Sequence, residues 1–244
     1  MTEISQQRLL QTWELGHSWD PEQRVQALLG LCEPQKTSEE IAEVPLGERN
    51  SILVTLHQRL FGSQLEAATR CGKCDEALDF ALPLDQLGFE HISASAQRQQ
   101  VRSGNLSALV RLPNGNDMKA LYSLTSVTEA QATLFQRCIL EITRKDAPVT
   151  LAELTEEEFA QLEDAITKSD PRMEILLDLQ CPECSHRWQA TLELGMFIWS
   201  ALDIYARRLL EEVHLLASIY GWSEQSILCM NPQRRNYYVR RLIQ

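Results

Sequence analysis

Four cysteines stand in two C-x-x-C pairs, a spacing at which thiolates can bind a metal ion together. The first pair is Cys71 and Cys74, in "LEAATRCGKCDEALDFALPL", and the second is Cys181 and Cys184, in "LDLQCPECSHRWQATLEL". Four thiolates from two such loops make a closed tetrahedral site, and sulfur ligands in that geometry favour zinc. A closed site leaves no position for water or substrate. The spacing therefore predicts a structural Zn²⁺ ion held by these four cysteines.

Both pairs lie between runs of alternating apolar residues, and the two stretches match when they are aligned on their cysteines. Before the pairs, three positions correspond: Leu65, Ala67 and Thr69 to Ile175, Leu177 and Leu179. After them, four positions correspond: Leu78, Phe80, Leu82 and Leu84 to Trp188, Ala190, Leu192 and Leu194. A period of two is typical of half-buried strands. The pattern predicts a β-hairpin used twice, with a cysteine loop, or knuckle, at each tip.

The two knuckles stand about a hundred residues apart, whereas an ordinary zinc ribbon separates them by about twenty. The prediction is thus a split zinc ribbon that fastens two distant parts of the chain. A redox dithiol, a disulfide and unpaired buried thiols are the alternatives. A redox C-x-x-C usually opens a helix, and neither pair is followed by helical periodicity. The other cysteines, Cys32, Cys138 and Cys229, have apolar neighbours and are expected to be buried.

Composition and charge limit the classes of function. The 244 residues carry a formal net charge of −11, which argues against a general nucleic-acid binder because such proteins need a basic surface. No stretch is apolar enough to predict a membrane span, and the first residues do not resemble a secretory signal. With seven cysteines, we expect a protein of the reducing cytoplasm. We expect no membrane partner.

Helix-start and helix-stop residues outline the rest of the chain. Asp20 and Pro21 predict the cap and first position of a helix, and Gly62 predicts the end of a later one. Thr155 and Glu158 are spaced as a capping box. We expect an α+β protein with N-terminal helices, the split zinc ribbon and a C-terminal helical bundle. The predicted segments are an N-terminal helical region (1–62), the first hairpin (63–90), a mixed insertion (91–172), the second hairpin (173–195) and the C-terminal bundle (196–244).

Within the insertion, the pattern predicts one strand and two helices. Residues 91–105 are expected to form an irregular loop. A strand follows in "LSALVRLPNGND", as one arm of a hairpin that turns at "NGND". The helices are predicted in "TEAQATLFQRCILEITR" and "TLAELTEEEFAQLEDAITKSD".

The C-terminal bundle is rich in aromatic residues and arginines, which dominate protein interfaces. If these side chains are exposed on the last three helices, they form a candidate partner-binding surface. Its residues would be Trp199, Tyr220, Trp222, Arg234, Arg235, Tyr237 and Tyr238. The alternative is that the aromatic residues complete a local helical core and that the arginines are simply solvated.

Several stretches of the sequence, including the C-terminal third, resemble a known protein family. Four stretches are similar to baseplate hub assembly chaperones of T-even-type phages and related contractile injection systems. They are the knuckle leading into "FIW", the stretch "RRLLEEVHLLASIYGWSE", the following "RRNYY" and the first half "LGERNSILVTLHQRLFGSQLEAATRCGKC". The resemblance covers the knuckles and the C-terminal third well and residues 91–150 poorly. It implies a protein that assists assembly of the baseplate hub by binding hub subunits or other tail proteins. Such a protein works in the cytoplasm during assembly.

Two rival functions share many of these features. A permanent structural subunit would remain in the tail baseplate of the finished particle. A regulator that joins a zinc ribbon to a helix-turn-helix-like end could grip nucleic acid with "RRNYYVRR", although the acidic total opposes that interpretation. We find no motif of a hydrolase, nucleotide-binding enzyme or metalloprotease. We therefore expect a non-enzymatic protein without a small-molecule substrate.

Overall fold

Helices and small antiparallel sheets make up the computed structural model, which describes residues 4–87, 89 and 98–243. The fold is therefore α+β, as predicted. The α-helices within the described residues are α1 (Gln6–Leu15), α2 (Pro21–Cys32), α3 (Ser38–Ala42), α4 (Leu46–Phe61), α5 (Gly115–Leu121), α6 (Val127–Cys138), α7 (Glu156–Ser169), α8 (Leu194–Tyr220), α9 (Glu224–Leu228) and α10 (Pro232–Ile243). The strands are β1 (Gln64–Arg70), β2 (Ala77–Pro83), β3 (Arg98–Ser103), β4 (Leu106–Arg111), β5 (Ile139–Arg144), β6 (Ala147–Pro148), β7 (Leu176–Gln180) and β8 (Arg187–Thr191).

The chain divides into two compact units that interleave along the sequence. One unit takes in the residues up to Pro34 and those from Gly195 onward, and the other runs from Gln35 to Leu194. The first unit is thus built from both ends of the chain, with α1 and α2 joined to the C-terminal helices. The predicted division into five segments remains a prediction, because grouping by contacts does not show which segment folds independently.

Two of the clusters of buried side chains among the described residues lie along α8 in the helical unit. Leu10 of α1 lies in one cluster with Ala206 and Leu209 of α8. Val213 and Leu216, further along α8, pack with Ile227 of α9 and with side chains of α10 in the other cluster. Their spacing of three and four residues along α8 places them on one stripe of the helix.

Local signals explain where several helices begin and end, and these predictions are confirmed. The Asp20 side chain accepts a hydrogen bond from the backbone N–H of Gln23 at 2.8 Å, in a capping box that starts α2. Thr155 and Glu158 form the predicted capping box of α7. Helix α4 ends at Gly62, where φ is +98°, a conformation that residues with a Cβ rarely adopt.

The insertion forms an antiparallel sheet in the order β3-β4-β5-β6. Helix α7 packs against β3 and β4. Alternate side chains of the sheet and one side of α6 and α7 meet in a core that comprises Val101, Leu106, Ala108, Val110, Phe135, Ile142, Leu162 and Ile166. The insertion therefore has a hydrophobic core of its own, with more strands than the pattern predicted.

Three predictions within the insertion are wrong. Of the predicted loop 91–105, residues 91–97 lie outside the described residues and 98–103 are strand β3, a polar edge strand with Val101 buried. The "NGND" turn is instead the start of α5, because the Asn114 side chain accepts hydrogen bonds from the N–H groups of Asn116 and Asp117. The helix predicted through residue 144 stops at Cys138, since the β-branched residues that follow pair with β4 as β5.

The prediction is also wrong for one cysteine. Cys32 and Cys138 are buried as expected, but Cys229 is exposed at the end of α9. The helix is little more than one turn long, and Ile227 is its buried residue. Cys229 is the C-terminal cap residue of that helix, and its side chain is exposed to solvent instead of packing beside Ile227.

Candidate metal centre

The two predicted hairpins are present, and they match in pairing as well as in sequence. Strands β1 and β2 pair from Gln64↔Pro83 to Arg70↔Ala77, leaving residues 71–76 as the connecting loop. Strands β7 and β8 pair up to Gln180↔Arg187, leaving 181–186 as the loop. Each loop therefore begins with the first cysteine of a pair and contains the second. The repeated unit predicted from the alternation is confirmed.

Equivalent backbone hydrogen bonds close the two loops. The N–H of Cys71 donates to the carbonyl oxygen of Glu76 at 2.9 Å, and the N–H of Cys181 donates to that of His186 at 2.9 Å. Each bond joins the first residue of a loop, which is a cysteine, to the last residue of that loop. The first cysteine of each pair is consequently fixed to the hairpin, with exposed fractions of only 2% and 1%.

A left-handed residue follows the second cysteine in each knuckle. Asp75 has a φ of 59° and Ser185 a φ of 56°. The N–H of each donates back to the carbonyl oxygen of the first cysteine, at 2.9 Å to Cys71 and 3.0 Å to Cys181. This turn brings both sulfurs of a pair to the same side of the loop. The cost is a backbone conformation that favours glycine, although Asp tolerates it better than most residues.

The four sulfurs come together from the two knuckles. Their Sγ atoms all lie within 4.8 Å of one another. The Sγ atoms of Cys71 and Cys184 are 3.6 Å apart, and those of Cys74 and Cys181 are also 3.6 Å apart. Each close pair joins the first cysteine of one knuckle to the second cysteine of the other. The arrangement is therefore approximately two-fold symmetric.

The sulfur distances fit a tetrahedral metal site. Metal–sulfur bonds of about 2.3 Å in a tetrahedron give sulfur–sulfur edges of about 3.8 Å, close to the two short distances observed. A disulfide requires about 2.05 Å, and all four cysteines are free thiols. The disulfide alternative is therefore wrong for this structure, and the cluster could hold a metal ion.

The thiols of the first knuckle differ in acidity. Burial by itself raises the pKa of Cys71, but hydrogen bonds from the backbone N–H groups of Lys73 and Cys74 outweigh it and lower the pKa to about 7. For Cys74, the N–H of Glu76 acts to lower the pKa, whereas the hydrogen bond with Cys184 and partial desolvation raise it to about 12. Because thiolates are the form that binds metals, the N–H groups of Lys73 and Cys74 favour the form of Cys71 that a metal would bind.

The centre is buried on one side and open on the other. Cys71 and Cys181 are buried, Cys184 is half-buried, and Cys74 is exposed. The His186 ring, which could in principle have replaced a cysteine ligand, stacks on Trp188 with ring centroids 5.7 Å apart. The metal-binding group found among the described residues consists of the four cysteines without this histidine.

Comparison with known families assigns the chain. A family model described as T4 bacteriophage base plate protein matches residues 4–196, which is most of the sequence. The chain belongs to this baseplate family. Both knuckles and the whole insertion lie within the matched range, including residues 91–150, where the resemblance noted from the sequence was poor. The range ends just inside α8, so the stretches "RRLLEEVHLLASIYGWSE" and "RRNYY" lie beyond it.

The other two comparisons with known proteins were negative. Neither the curated proteins nor the solved structures contain a match to this chain. Among the described residues, no helix is long and apolar enough to cross a membrane.

Two of the seven predicted partner-binding residues of this baseplate-family chain are buried, so the expectation that they are exposed is wrong. Trp199 is 8% exposed, and its ring fills the space beside Gly16, where an added Cβ would lie 2.0 Å from the ring. Arg235 is 4% exposed and donates to the carboxylate of Glu212 at 2.7 Å and to the side-chain oxygen of Gln6. Both side chains belong to the interior of the helical unit.

The remaining aromatic residues lie together at the surface. Tyr220 stacks on Trp222 with centroids 4.6 Å apart, and Trp222 meets Tyr238 edge-on at 5.0 Å. Tyr237 contacts Tyr238 at 5.7 Å. Whether they bind a partner stays a prediction, and their clustering is the finding.

Sequence reasoning missed a buried ion network in the insertion. The carboxylate of Asp117 is fully buried and accepts two hydrogen bonds from Arg111, at 2.6 and 2.7 Å, and one from Arg137, at 2.7 Å. Burial by itself raises the pKa of Asp117, but the two arginines and the N–H of Asn114 outweigh it and lower the pKa. The one local signal for a role of Asp117 was its spacing from Asn114 as a capping box. The two arginines come from other elements, β4 and α6, so the helix itself does not indicate them.

Proposed function

We propose that this protein is a non-enzymatic assembly protein of the phage baseplate, which binds subunits of the baseplate hub while the tail is built. The observation that carries the proposal is the family match over residues 4–196. Its description names the baseplate, and proteins of a baseplate act through contacts with other subunits. Hub or tail proteins are therefore the proposed partners, in the cytoplasm during assembly.

The metal in this proposal is a structural Zn²⁺ ion, and the two hairpins with their ion form a split zinc ribbon. Cys71, Cys74, Cys181 and Cys184 would be its four ligands. The set of four sulfurs supports zinc over the harder divalent cations, which prefer oxygen ligands. The ion would hold together two parts of the chain that the whole insertion separates. Structural zinc can contribute on the order of 10 kcal/mol to folding.

A non-catalytic role agrees with the chemistry of the described residues. Four sulfur ligands occupy all positions of a tetrahedral ion, so no position would remain for a substrate. The buried carboxylate of Asp117, whose pKa is lowered, is engaged by two arginines and by a backbone N–H. Neither site offers a group that is poised to act on a substrate.

A second candidate is a permanent structural subunit of the baseplate. The family description supports it as well, because it names a base plate protein. The same zinc centre and the same partners would serve both roles. Presence in the finished particle is what distinguishes them.

The deciding experiment is mass spectrometry of the proteins that accompany this chain in its native host, in cleared lysate and in purified finished particles. Finding it with hub subunits in lysate and not in particles supports the assembly role. Finding it in both at a fixed ratio to other baseplate proteins makes it a permanent subunit. If it accompanies tail proteins in neither sample, both candidates are wrong.

A further inference from the structure

Four aromatic side chains at the C-terminal end of the helical unit form one continuous surface cluster, here called the aromatic patch. It comprises Tyr220 at the end of α8, Trp222 in the turn that follows, and Tyr237 and Tyr238 on α10. Each ring contacts at least one other, with centroid distances from 4.6 to 5.8 Å. Two segments of the chain, residues 220–222 and 237–238, thus contribute to one set of rings.

The aromatic patch is partly exposed, and two of its rings pack against a buried hydrophobic cluster. Tyr220 is 38% exposed and Tyr237 is 56% exposed. Trp222 and Tyr238 are half-buried and pack against the cluster of Val213, Leu216 and Ile227. Rings held in this way present apolar area without a large loss of conformational entropy when a partner binds. The patch is therefore preorganised.

Arginines border the aromatic patch. The guanidinium of Arg234 lies 5.9 Å from the centroid of the Tyr238 ring, and that of Arg241 lies 5.6 Å from the Tyr237 ring. Arg241 also donates a hydrogen bond to the hydroxyl oxygen of Tyr237 at 3.2 Å. Contacts with the rings limit the freedom of these side chains, so less is lost when they meet a carboxylate.

The local charge is opposite to that of the chain as a whole. Residues 231–244 contain four arginines and no acidic residue, in a protein whose net charge is −11. Arg235 is buried with Glu212, which leaves Arg234, Arg240 and Arg241 as the exposed cations of α10. The α10 side of the patch is therefore basic, and it favours an anionic partner.

We propose that the aromatic patch and these three arginines bind an acidic segment of a partner protein, one in which Asp or Glu residues flank an apolar side chain. The apolar side chain packs on the rings of Tyr220 and Tyr237, and the carboxylates pair with the arginines. The proposal rests on the proposed function only in naming that partner a baseplate subunit.

A protein partner fits these contacts better than a nucleic acid. Two of the three exposed arginines lie against tyrosine rings, and the fourth arginine of the segment is buried. Single strands need a basic groove along the backbone, and three exposed arginines on one helix of an acidic protein do not form one.

The test places a photo-crosslinking amino acid, p-benzoylphenylalanine, at Tyr237 of the full chain. The matched control places it at Tyr122, a tyrosine of the insertion that is also 56% exposed. Both variants are expressed in the native host during tail assembly and irradiated, and the crosslinked residues are identified by mass spectrometry. We expect position 237 to crosslink to a carboxylate-rich segment of one protein and position 122 to give no crosslink to that segment.

Charge reversal supplies the second measurement. Arg234→Glu with Arg241→Glu should lower the yield of the crosslink from position 237 roughly tenfold. Arg102→Glu, at an exposed position on β3, should leave it unchanged. Raising the salt concentration should weaken the crosslink in the unmodified background, because exposed ion pairs are screened.

Each outcome is informative. Crosslinks to nucleic acid, to a second copy of this chain or to a segment without acidic residues overturn the proposal, as does the absence of any crosslink. If position 237 gives none while hub subunits still accompany the protein, the binding site is wrong and the proposed function stands. A crosslink to an acidic segment of a protein unrelated to the tail supports the binding site and contradicts the proposed function.

Discussion

The two cysteine-bearing hairpins and the sheet of the insertion are both antiparallel, but their strands differ in how many apolar side chains they bury. In the four hairpin strands, all of which the structure describes, Leu65 is the one buried residue. In the insertion, Val101, Leu106 and Ile142 belong to a core that two helices cover. An isolated two-stranded hairpin is at best marginally stable in water. Hydrophobic burial therefore stabilises the insertion, whereas we expect the hairpins to depend on a metal ion bound by the four cysteines.

The largest effect is expected when one of the four cysteine ligands is removed, because this tests whether the hairpins depend on the metal. We expect Cys181→Ser to abolish zinc binding and with it stabilisation on the order of 10 kcal/mol. The amides of β7 and β8 should lose protection from hydrogen exchange, while those of β4 should keep it. Elemental analysis and hydrogen exchange measured on the same sample test both points.

The matched control is Cys229→Ser, which changes an exposed cysteine of the helical unit. It should retain one zinc per chain and normal melting. A Cys181→Ser protein with full zinc content and unchanged melting would refute the zinc site, and a chelator should reproduce the effect of that variant on the wild type.

The converse change removes core volume and leaves the ligands intact. Leu162 is fully buried in the core of the insertion, and Leu162→Ala should cost about 2–5 kcal/mol. Zinc content should not change. Denaturant unfolding gives the free energy, and Leu176→Ala, at a hairpin position that is 49% exposed, should shift it by less than about 0.5 kcal/mol.

Asp117 tests the polar part of the insertion. Asp117→Asn should cost about 3 kcal/mol at neutral pH, because two arginines lose the charge of a buried partner. The folded-state pKa of Asp117 is lowered, so its contribution is complete above the pKa of an unfolded Asp, about 3.9. It is lost as the pH falls through the lower folded value.

The measurement for Asp117 is the difference in unfolding free energy between wild type and Asp117→Asn over a pH series. The difference should be constant from pH 7 to about 4 and should shrink below that. Using the difference removes contributions that both proteins share, such as protonation of the cysteines. A difference that grows as the pH falls would mean that the carboxylate is not stabilised by its arginines.

The smallest expected effect distinguishes the two knuckles from each other. Ser185→Gly should stabilise the protein by about 1 kcal/mol, because it removes a Cβ from a left-handed conformation. Asp75→Gly should gain less, since Asp tolerates that conformation and since the substitution removes the carboxylate that accepts a hydrogen bond from Arg70. Ser185→Ala, which keeps a Cβ, should not gain stability. Melting temperatures of the zinc-bound proteins would show the order.

Most predictions that depended on a few neighbouring residues were confirmed, although the turn at "NGND" was not. The caps at Asp20 and Thr155 and the end of α4 at Gly62 follow from hydrogen bonds and backbone preferences within about one turn. The knuckles were predictable for the same reason, because each is a closed loop between paired strands. The repetition of that loop along the sequence is enough to single out the four cysteines as one set.

Predictions from local patterns were wrong where residues distant in sequence determine the structure. Residues 139–144 continue a helical pattern but pair with β4 as a strand. The polar stretch 98–103 becomes a strand because β4 offers it an edge. Trp199 and Arg235 were predicted on a partner-binding surface, but Gly16 and Glu212 accommodate them inside the helical unit. Nothing in the neighbouring sequence specifies these partners.

The sequence by itself thus determined which residues can bind the metal, the form of each knuckle and most helix boundaries, since these depend on contacts within a few residues. Tertiary structure alone decided that the two knuckles meet with their sulfurs 3.6 Å apart. It also joined α1 to α8 across almost the whole chain and determined which aromatic residues stay at the surface. Burial and sulfur–sulfur distance are properties of segments that come together only on folding, and local pattern does not encode them.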